Sequence, residues 1–461
     1  MNVTFHGDGR TVPVADPGAT LLETSVAARI PHFRECGGQG RCTTCRVRIL
    51  DGLDHVSPRG PAEARLARER GWDDYTRLAC QARVGGDVHV HRLIRSPVDI
   101  SLLQVEALRS EPGKEVAAAI LVCDIRQFTP FVDGNLPYDV FHILNRFFAE
   151  LGEPILLNGG FIYQYVGDQI IGLFGLTGAS AEQSCLGAVR AGLGMMHALG
   201  ALNEQIRREF GIELGIRIGA HFGSLIVGTL GHPARREFSV IGDAINVASR
   251  IEGANEALGT TFLASEALFA RLPHAVRAGL RARVGLKGKQ GLHALVEVAG
   301  FREPDPELLV QYTARRLLSE GERFGQTFYA RLFERAPAAR ALFSGDMEAQ
   351  SRMIVQTLQM AVYGFSRFRD LVPGLVALGR SHVRYGVHAA HYAVFRDAFL
   401  DTVRTVLGDA CTPDVEAAWG GAVDRILGAM SRGARSCPAP GGGQSAGGMG
   451  ETGRCCPARV S

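Results

Sequence analysis

The apolar positions change period along the chain, and the changes divide it. Up to about residue 95 they fall in short runs between glycines, such as Arg46-Val-Arg-Ile-Leu50, whose alternation predicts a strand. From Val116 to about Gly300 strand-length apolar runs alternate with stretches of helical period, the texture of an α/β layer fold. Val116 to Val122 predicts a buried strand that leads to Asp124, and two alternating runs flanking Gly167-Asp168 predict a β-hairpin. The segment EFSVIGDAINVASRIEGANEAL predicts a strand running into a helix near Asp243. Val247, Ala248 and Ile251 hold that helix down, while Asn246 and Arg250, four apart, share one face. From Glu307 to Met430 the period is almost wholly helical. Arg302-Glu-Pro-Asp-Pro306 breaks the pattern just before it, with Asp305 suited to a helix N-cap and Pro306 to the first helical position. The expected organisation is a domain over 1–95, a linker over 96–115 containing Pro97 and Pro112, a domain over 116–300, a helical domain over 303–435, and a Gly/Pro/Ser-rich disordered tail over 436–461.

Composition narrows the class. A chain of 461 residues is too long for one core. Charged residues at 21% and hydrophobic residues at 46% make an ordinary soluble mixture, and a net charge of +3 gives no reason to expect a nucleic-acid or anionic-membrane partner. The apolar run Val116 to Cys123 falls far short of the roughly 20 residues of a membrane helix, and MNVTFHGDGRT has no signal-peptide character, so a cytoplasmic location without a membrane span is expected. In that reducing compartment the ten cysteines read as ligands or free thiols.

Four of them form a pattern. Cys36, Cys42 and Cys45 stand in ECGGQGRCTTCRVRI, and Cys80 follows in RLACQ. Gly37, Gly38 and Gly40 let the backbone wrap closely and turn N–H groups inward, as anionic sulfurs require. A four-cysteine zinc site is the alternative, although zinc usually takes two C-x2-C knuckles and only one is present. The pattern resembles the [2Fe–2S] ferredoxins of the longer-loop, adrenodoxin-like type. That resemblance implies a β-grasp α+β domain, a cluster held by Cys36, Cys42, Cys45 and Cys80, and a redox partner. Cys123, Cys185 and Cys411 lie in apolar surroundings and read as small core residues.

Two aspartates at strand ends, Asp124 and Asp168, are suited to holding two divalent cations for in-line attack at phosphorus. VGLKGKQGLHALVEV places Lys287 and Lys289 around a glycine beside a strand, a plausible triphosphate contact. Val122-Cys-Asp-Ile-Arg-Gln-Phe-Thr129, Tyr165-Val-Gly-Asp168 with Phe174-Gly175, Ile218-Gly-Ala-His-Phe-Gly223 and Ile241-Gly-Asp-Ala-Ile-Asn-Val-Ala-Ser-Arg250 together resemble the class III adenylate/guanylate cyclases. The resemblance implies a βαββαβ fold and a homodimer with shared active sites. Asp124 and Asp168, assisted by the Ile125 carbonyl, would bind two Mg²⁺ or Mn²⁺ per site. From the other subunit Asn246 would orient the ribose and Arg250 would meet charge on the α-phosphate; Lys287 would hold the terminal phosphates. At the base-reading positions stand Gln164 and Ser239, where the family usually has Lys with Asp or Thr for adenine, or Glu with Cys for guanine. An amide and a hydroxyl suit either base, and the likeness of Ser to Thr favours ATP over GTP.

The helical region resembles the bacterial single-domain globins and flavohaemoglobins through Phe328-Tyr329, Pro337, Phe343, Gln350, Ser381-His-Val-Arg-Tyr-Gly386 and Ala418-Trp419. This implies haem b with His382 as proximal ligand, Tyr329 and Gln350 on the distal side, Phe343 against the haem and Tyr392 supporting the proximal side. His388 and His391 compete for the ligand role. Without a flavin or nicotinamide module, sensing of O₂ or NO is expected rather than turnover. The combined reading is a nucleotide cyclase regulated by a cluster and a haem. The alternative is a ferredoxin–globin protein for electron transfer or NO detoxification, with a silent cyclase domain.

Overall fold

The computed structural model describes residues 1–435 except 7–8, 15, 29, 31, 33–37, 41, 95–112, 233–234, 344–346, 365–367 and 385. Cys36, most of the expected linker and the whole of the expected tail lie outside the described residues.

The N-terminal part is β-rich. Strands β1 (Asn2–His6), β2 (Arg10–Pro13), β3 (Arg46–Asp51), β4 (Thr76–Leu78) and β5 (Val88–Arg92) form one sheet in the order β2-β1-β5-β3-β4. Alternate residues Val3, Phe5, Val47, Ile49, Val88 and Val90 turn one face into its core. Helix α1 (Leu21–Ala27) starts on a reciprocal cap between Thr20 and Glu23. Helix α2 (Pro61–Arg70) carries Glu63, fully buried, whose carboxylate accepts from Arg77 Nε at 3.0 Å, Arg77 Nη2 at 3.0 Å and the Leu78 N–H at 2.6 Å. This satisfied ion pair ties α2 to β4 and so sets the path of the chain into Cys80.

The central part is α/β. Its elements are β6 (Lys114–Ile125), α3 (Phe128–Asp133), α4 (Pro137–Leu157), β7 (Gly160–Val166), β8 (Gln169–Phe174), α5 (Ala181–Phe210), β9 (Ile216–His232), β10 (Arg235–Ile241), α6 (Asp243–Leu258), β11 (Phe262–Ser265), α7 (Glu266–Phe269), β12 (Val276–Gly285) and β13 (Leu292–Phe301). The sheet runs β12-β13-β11-β9-β6-β8-β7, with β10 paired to β9. β6, α4, β7, β8, α5 and β9 therefore form a βαββαβ unit whose sheet order is β9-β6-β8-β7. Leu121, Cys123 and Ile125 face the core under α4 and α5, while Ile120 and Val122 face α6. Helix α5 has the length and composition to cross a membrane, but its Cys185, Ala188, Val189, Ala191 and Met195 are buried in this core. Cys123 and Cys185 are fully buried. At Gly219 on β9 an added methyl would overlap the Ala248 carbonyl and the Glu252 amide, so a glycine there lets α6 lie directly on the sheet.

The C-terminal part is all-α: α8 (Pro306–Ser319), α9 (Gly321–Arg335), α10 (Met347–Gly364), α11 (Phe368–Arg384), α12 (Ala389–Leu407) and α13 (Pro413–Arg435). Asp305 caps α8 by accepting from the Leu308 N–H, with Pro306 at the first turn. Phe324, Phe328, Phe399 and Trp419 anchor the core.

Arg77→Met, which strands the Glu63 carboxylate, is expected to destabilise the N-terminal domain by about 3–5 kcal/mol. Urea unfolding followed by Trp72 fluorescence in a Trp419→Phe background measures it. The double replacement Glu63→Leu with Arg77→Met should recover most of the loss.

Candidate active site and cofactor sites

Asp124 closes β6, and Asp168 follows Gly167 in the two-residue turn joining β7 to β8. Gly167 has φ +63°, a backbone that glycine adopts without strain. Because β6 pairs with β8, the turn arrives over the end of β6. There the Ile125 N–H donates to both carboxylates, to Asp124 Oδ1 at 3.0 Å and to Asp168 Oδ2 at 3.2 Å. Burial, then the hydrogen bond and negative charge of Asp168, push the Asp124 carboxyl up to about 7. Glu252 on α6 adds to the same negative field, and its own carboxyl is raised, first by burial, against the pull of Arg217 at 2.9 Å. Arg217 and Glu252 are not legible as a pair in the sequence, since nothing in their spacing signals a partner on another element.

Such a pair of converging carboxylates fits a hard divalent cation. Magnesium-type ions need only one or two protein carboxylates when phosphates and water fill the other positions. Among the described residues no group of three or more His, Cys, Asp or Glu side chains gathers as a metal site.

A second group of predicted residues lies around α6. Asn246 is exposed on its first turns and Arg250 is half-buried, its Nη1 buried without a hydrogen-bond partner. The turn between β12 and β13 comes against it, with Gly288 beside the Arg250 guanidinium and Lys289 paired to Asp243. Lys287 is exposed in the same turn. Gln164 and Ser239 flank a single contact, the Val240 N–H donating to the Tyr163 hydroxyl at 3.1 Å, which joins β7 to β10. A bulge in β7 between Ile162 and Gln164 breaks the alternation there, and Gln164 pairs with Ile171. The structure thus brings the aspartates together, and separately brings Arg250 to the lysine turn and Gln164 to the neighbourhood of Ser239.

In the N-terminal domain three predicted ligands are described. Cys45 and Cys80 are buried, and Cys42 is half-buried with Sγ 3.2 Å from Thr44 Oγ1. The Ala79 N–H donates to the Cys45 carbonyl at 3.0 Å, which holds the two thiols within reach of each other. Hydrogen bonding from Cys45 pulls the Cys80 thiol down to about 6, with further help from Gln81 and the Gly40 N–H, while the Cys45 thiol moves up. Gly38 and Gly40 have φ +86° and +67°, a backbone that other residues rarely adopt, and a Cβ at either would crowd Leu22 or Gln81. A thiolate cradled by backbone N–H groups beside further thiols fits an iron–sulfur cluster.

In the helical domain His382 sits near the end of α11. Burial holds its pKa below the usual imidazole range, so the ring is neutral and has a lone pair to offer iron. Its Nδ1 and the Tyr392 hydroxyl are both buried without a hydrogen-bond partner. Gly386, at φ +83°, ends the segment, with the Val387 N–H donating to the His382 carbonyl at 3.0 Å. Tyr329 is buried, donates to the Gln350 carbonyl at 3.4 Å, and meets the Phe343 ring edge-on at 5.3 Å. A cavity of about 870 Å³ opens beside it, lined by Phe333, Met347, Ser351 and Val355. His388 and His391 are engaged with each other, the His388 N–H donating to His391 Nδ1 at 3.0 Å as a cap on α12. A half-buried histidine whose Nδ1 is buried without a partner fits a haem ligand, and the capping pair does not.

Comparison with known proteins agrees with this division. Family models match residues 3–85 as a 2Fe-2S iron-sulfur cluster binding domain, 110–295 as an adenylate and guanylate cyclase catalytic domain, and 326–430 as a globin. An adenylate cyclase of Anabaena cylindrica is 35% identical over 39% of this chain and 36% of its own length. A flavohemoprotein of Bordetella parapertussis is 33% identical over 27% of this chain and 31% of its own. The chain thus spans about a third of each of these curated relatives. The crystal structure of the guanylyl cyclase Cya2 is 29% identical, with a TM-score of 0.39, covering 42% of this chain and 97% of that one. The chain carries an N-terminal 2Fe-2S ferredoxin domain, a central class III cyclase domain and a C-terminal globin-like domain. Its cyclase domain has the fold shared by adenylate and guanylate cyclases.

The carboxyl of Asp124 is raised in the fold, so its contribution to stability is present below about pH 4 and is lost as pH rises through about 7. Metal-free protein is therefore expected to lose thermal stability over that window, and added Mg²⁺ should restore more at pH 8 than at pH 5. Scanning calorimetry of wild type beside Asp124→Asn, which should lack this pH-dependent component, checks it.

Proposed function

We propose that this protein is a cytoplasmic homodimeric nucleotide cyclase that converts ATP to 3′,5′-cyclic AMP and pyrophosphate. The observation that carries the reading is the pair of carboxylates, Asp124 and Asp168, converging on the single N–H of Ile125. Two Mg²⁺ or Mn²⁺ held there, with the Ile125 carbonyl, supply the Lewis acidity that activates the ribose 3′-OH and neutralises the phosphates. The partner subunit contributes Asn246 to orient the ribose, Arg250 to meet charge on the α-phosphate and Lys287 to hold the terminal phosphates. The unpartnered Nη1 of Arg250 supports a role toward a ligand. Exposed Val166, Ile226, Leu230 and Ile241 around β7, β9 and β10 support a dimer face. Gln164 and Ser239 read the base. Because an amide and a hydroxyl accept either purine, GTP is the second substrate to test.

The flanking domains regulate the reaction in this reading. Cys36, Cys42, Cys45 and Cys80 hold a [2Fe–2S] cluster that exchanges electrons with a redox partner. His382 holds haem b, with Tyr329, Gln350, Phe343 and Tyr392 around it, to sense O₂ or NO.

Incubation with ATP or GTP and Mn²⁺ should give cyclic nucleotide. Asp168→Ala should abolish it, and Arg250→Ala should lower turnover by roughly 10² to 10³. If wild type leaves both triphosphates unconverted but consumes NO with a reductase, the cyclase domain is silent and the protein is an electron-transfer globin. Absorption spectra test the cofactors separately. Cys45→Ser should lose the cluster bands and keep the haem Soret band, and His382→Ala should do the reverse.

A further inference from the structure

Helix α8 lies between the cyclase match, which ends at residue 295, and the globin match, which begins at 326. It is packed into both domains. On the cyclase side Arg190 of α5 reaches Asp305 at 2.8 Å and Glu307 at 2.5 Å, His197 stacks on Tyr312 at 3.9 Å, and Glu150 of α4 pairs with Arg315. At the centre of this contact two buried amides bond reciprocally. Asn158 Nδ2 donates to Gln311 Oε1 and Gln311 Nε2 donates to Asn158 Oδ1, each at 3.1 Å. Beside them Leu157 packs into the globin core.

On the side of the β7–β8 hairpin the end of α4 is close-packed, while on the side of α8 a cavity of about 870 Å³ opens beside Pro154, Gly194, His197 and Gln311, so that the amide pair is the direct polar bridge at the centre of this contact. Asn158 follows the last residue of α4 and is separated from β7 by Gly159 alone. Added methyls at Gly160 and Gly172 would strike Ile155, one at Gly187 would strike the Asn158 carbonyl, and one at Gly194 would press on Pro154. The end of α4 is therefore wedged between α5 and the β7–β8 hairpin, which carries Gln164 and the Asp168 turn. On the globin side the route runs through specific contacts, beside a cavity of about 510 Å³ between α8 and α13 that is lined by Leu309, Val310 and Ala418. Trp419 Nε1 of α13 donates to Thr313 Oγ1 of α8 at 2.9 Å. α13 in turn meets α11, the helix of His382, where Gly379 abuts the Met430 carbonyl and Gly433 abuts the Val376 carbonyl. Close-packed contacts of this kind pass a displacement on rather than absorbing it.

We propose that the Asn158–Gln311 pair is the positioning link through which the helix bearing His382, by way of α13 and α8, sets the β7–β8 hairpin of the active site. This rests on the cyclase and haem reading above and names the route of regulation within it. Neither amide touches substrate; both act through Gln164 and Asp168.

The test is hydrogen exchange of residues 160–174 in full-length, haem-loaded ferrous protein with and without carbon monoxide, run beside the cyclase assay. In wild type, carbon monoxide should change exchange in this hairpin by about fivefold or more. Gln311→Leu should keep the Soret band of the carbon monoxide complex and lose the hairpin response. The swap Asn158→Gln with Gln311→Asn should restore it. Arg315→Ala, which removes only the exposed pair of the same interface, should leave it intact. Thr313→Val, a milder change on the same route, should weaken the response and serves if Gln311→Leu does not fold. A hairpin that ignores carbon monoxide in wild type, or responds equally in Gln311→Leu, overturns the link. A hairpin response without any cyclic nucleotide leaves the link standing and removes the cyclase reading instead.

Discussion

Strand β6 is paired along its length with β9 on one side and over its second half with β8 on the other, and nearly every functional relation in the cyclase domain depends on that register. A slip of one residue would turn Leu121 and Cys123 out of the core under α4 and α5 and send Ile120 and Val122 into it. Because both faces are filled, the slip is forbidden, and the hairpin turn must land at the end of β6. The convergence of Asp124 and Asp168 on one N–H follows from apolar packing along the strand and from its pairing with β8.

Each candidate site in the chain concentrates groups that oppose one another until something binds. The two aspartates, with Glu252 behind them, hold negative charge together in a half-buried place. Cys45 and Cys80 hold two thiols together under a roof of glycine backbone. His382 and Tyr392 keep polar atoms buried without partners. Sites of this kind cost stability, and the surrounding fold offsets that cost through the apolar cores of the three parts. The same arrangement makes binding favourable, since the ligand removes the opposition rather than having to organise the site.

The glycines that matter mark close approaches. Gly219 lets α6 lie against β9, Gly160 and Gly172 let Ile155 press on the hairpin, and Gly379 with Gly433 brings α11 against α13. These contacts join the helical domain to the β7–β8 hairpin through α8. A globin-like domain attached in this way packs, through α8, against the end of α4 that abuts the β7–β8 hairpin.

Much of this was determined by the chain's own pattern. The strand ending at Asp124, the hairpin at Gly167-Asp168, the helix after Asp243, the cap at Asp305 and the cysteine spacing are local features, because period, turn chemistry and caps act over a few residues. The pairing of Arg217 with Glu252 was not legible, nor was that of Asn158 with Gln311, of Lys289 rather than Lys287 with Asp243, or of His388 with His391 in a cap. Those depend on which elements the fold places side by side, and burial decides them by requiring every desolvated charge or amide to find whatever partner the packing brings within reach.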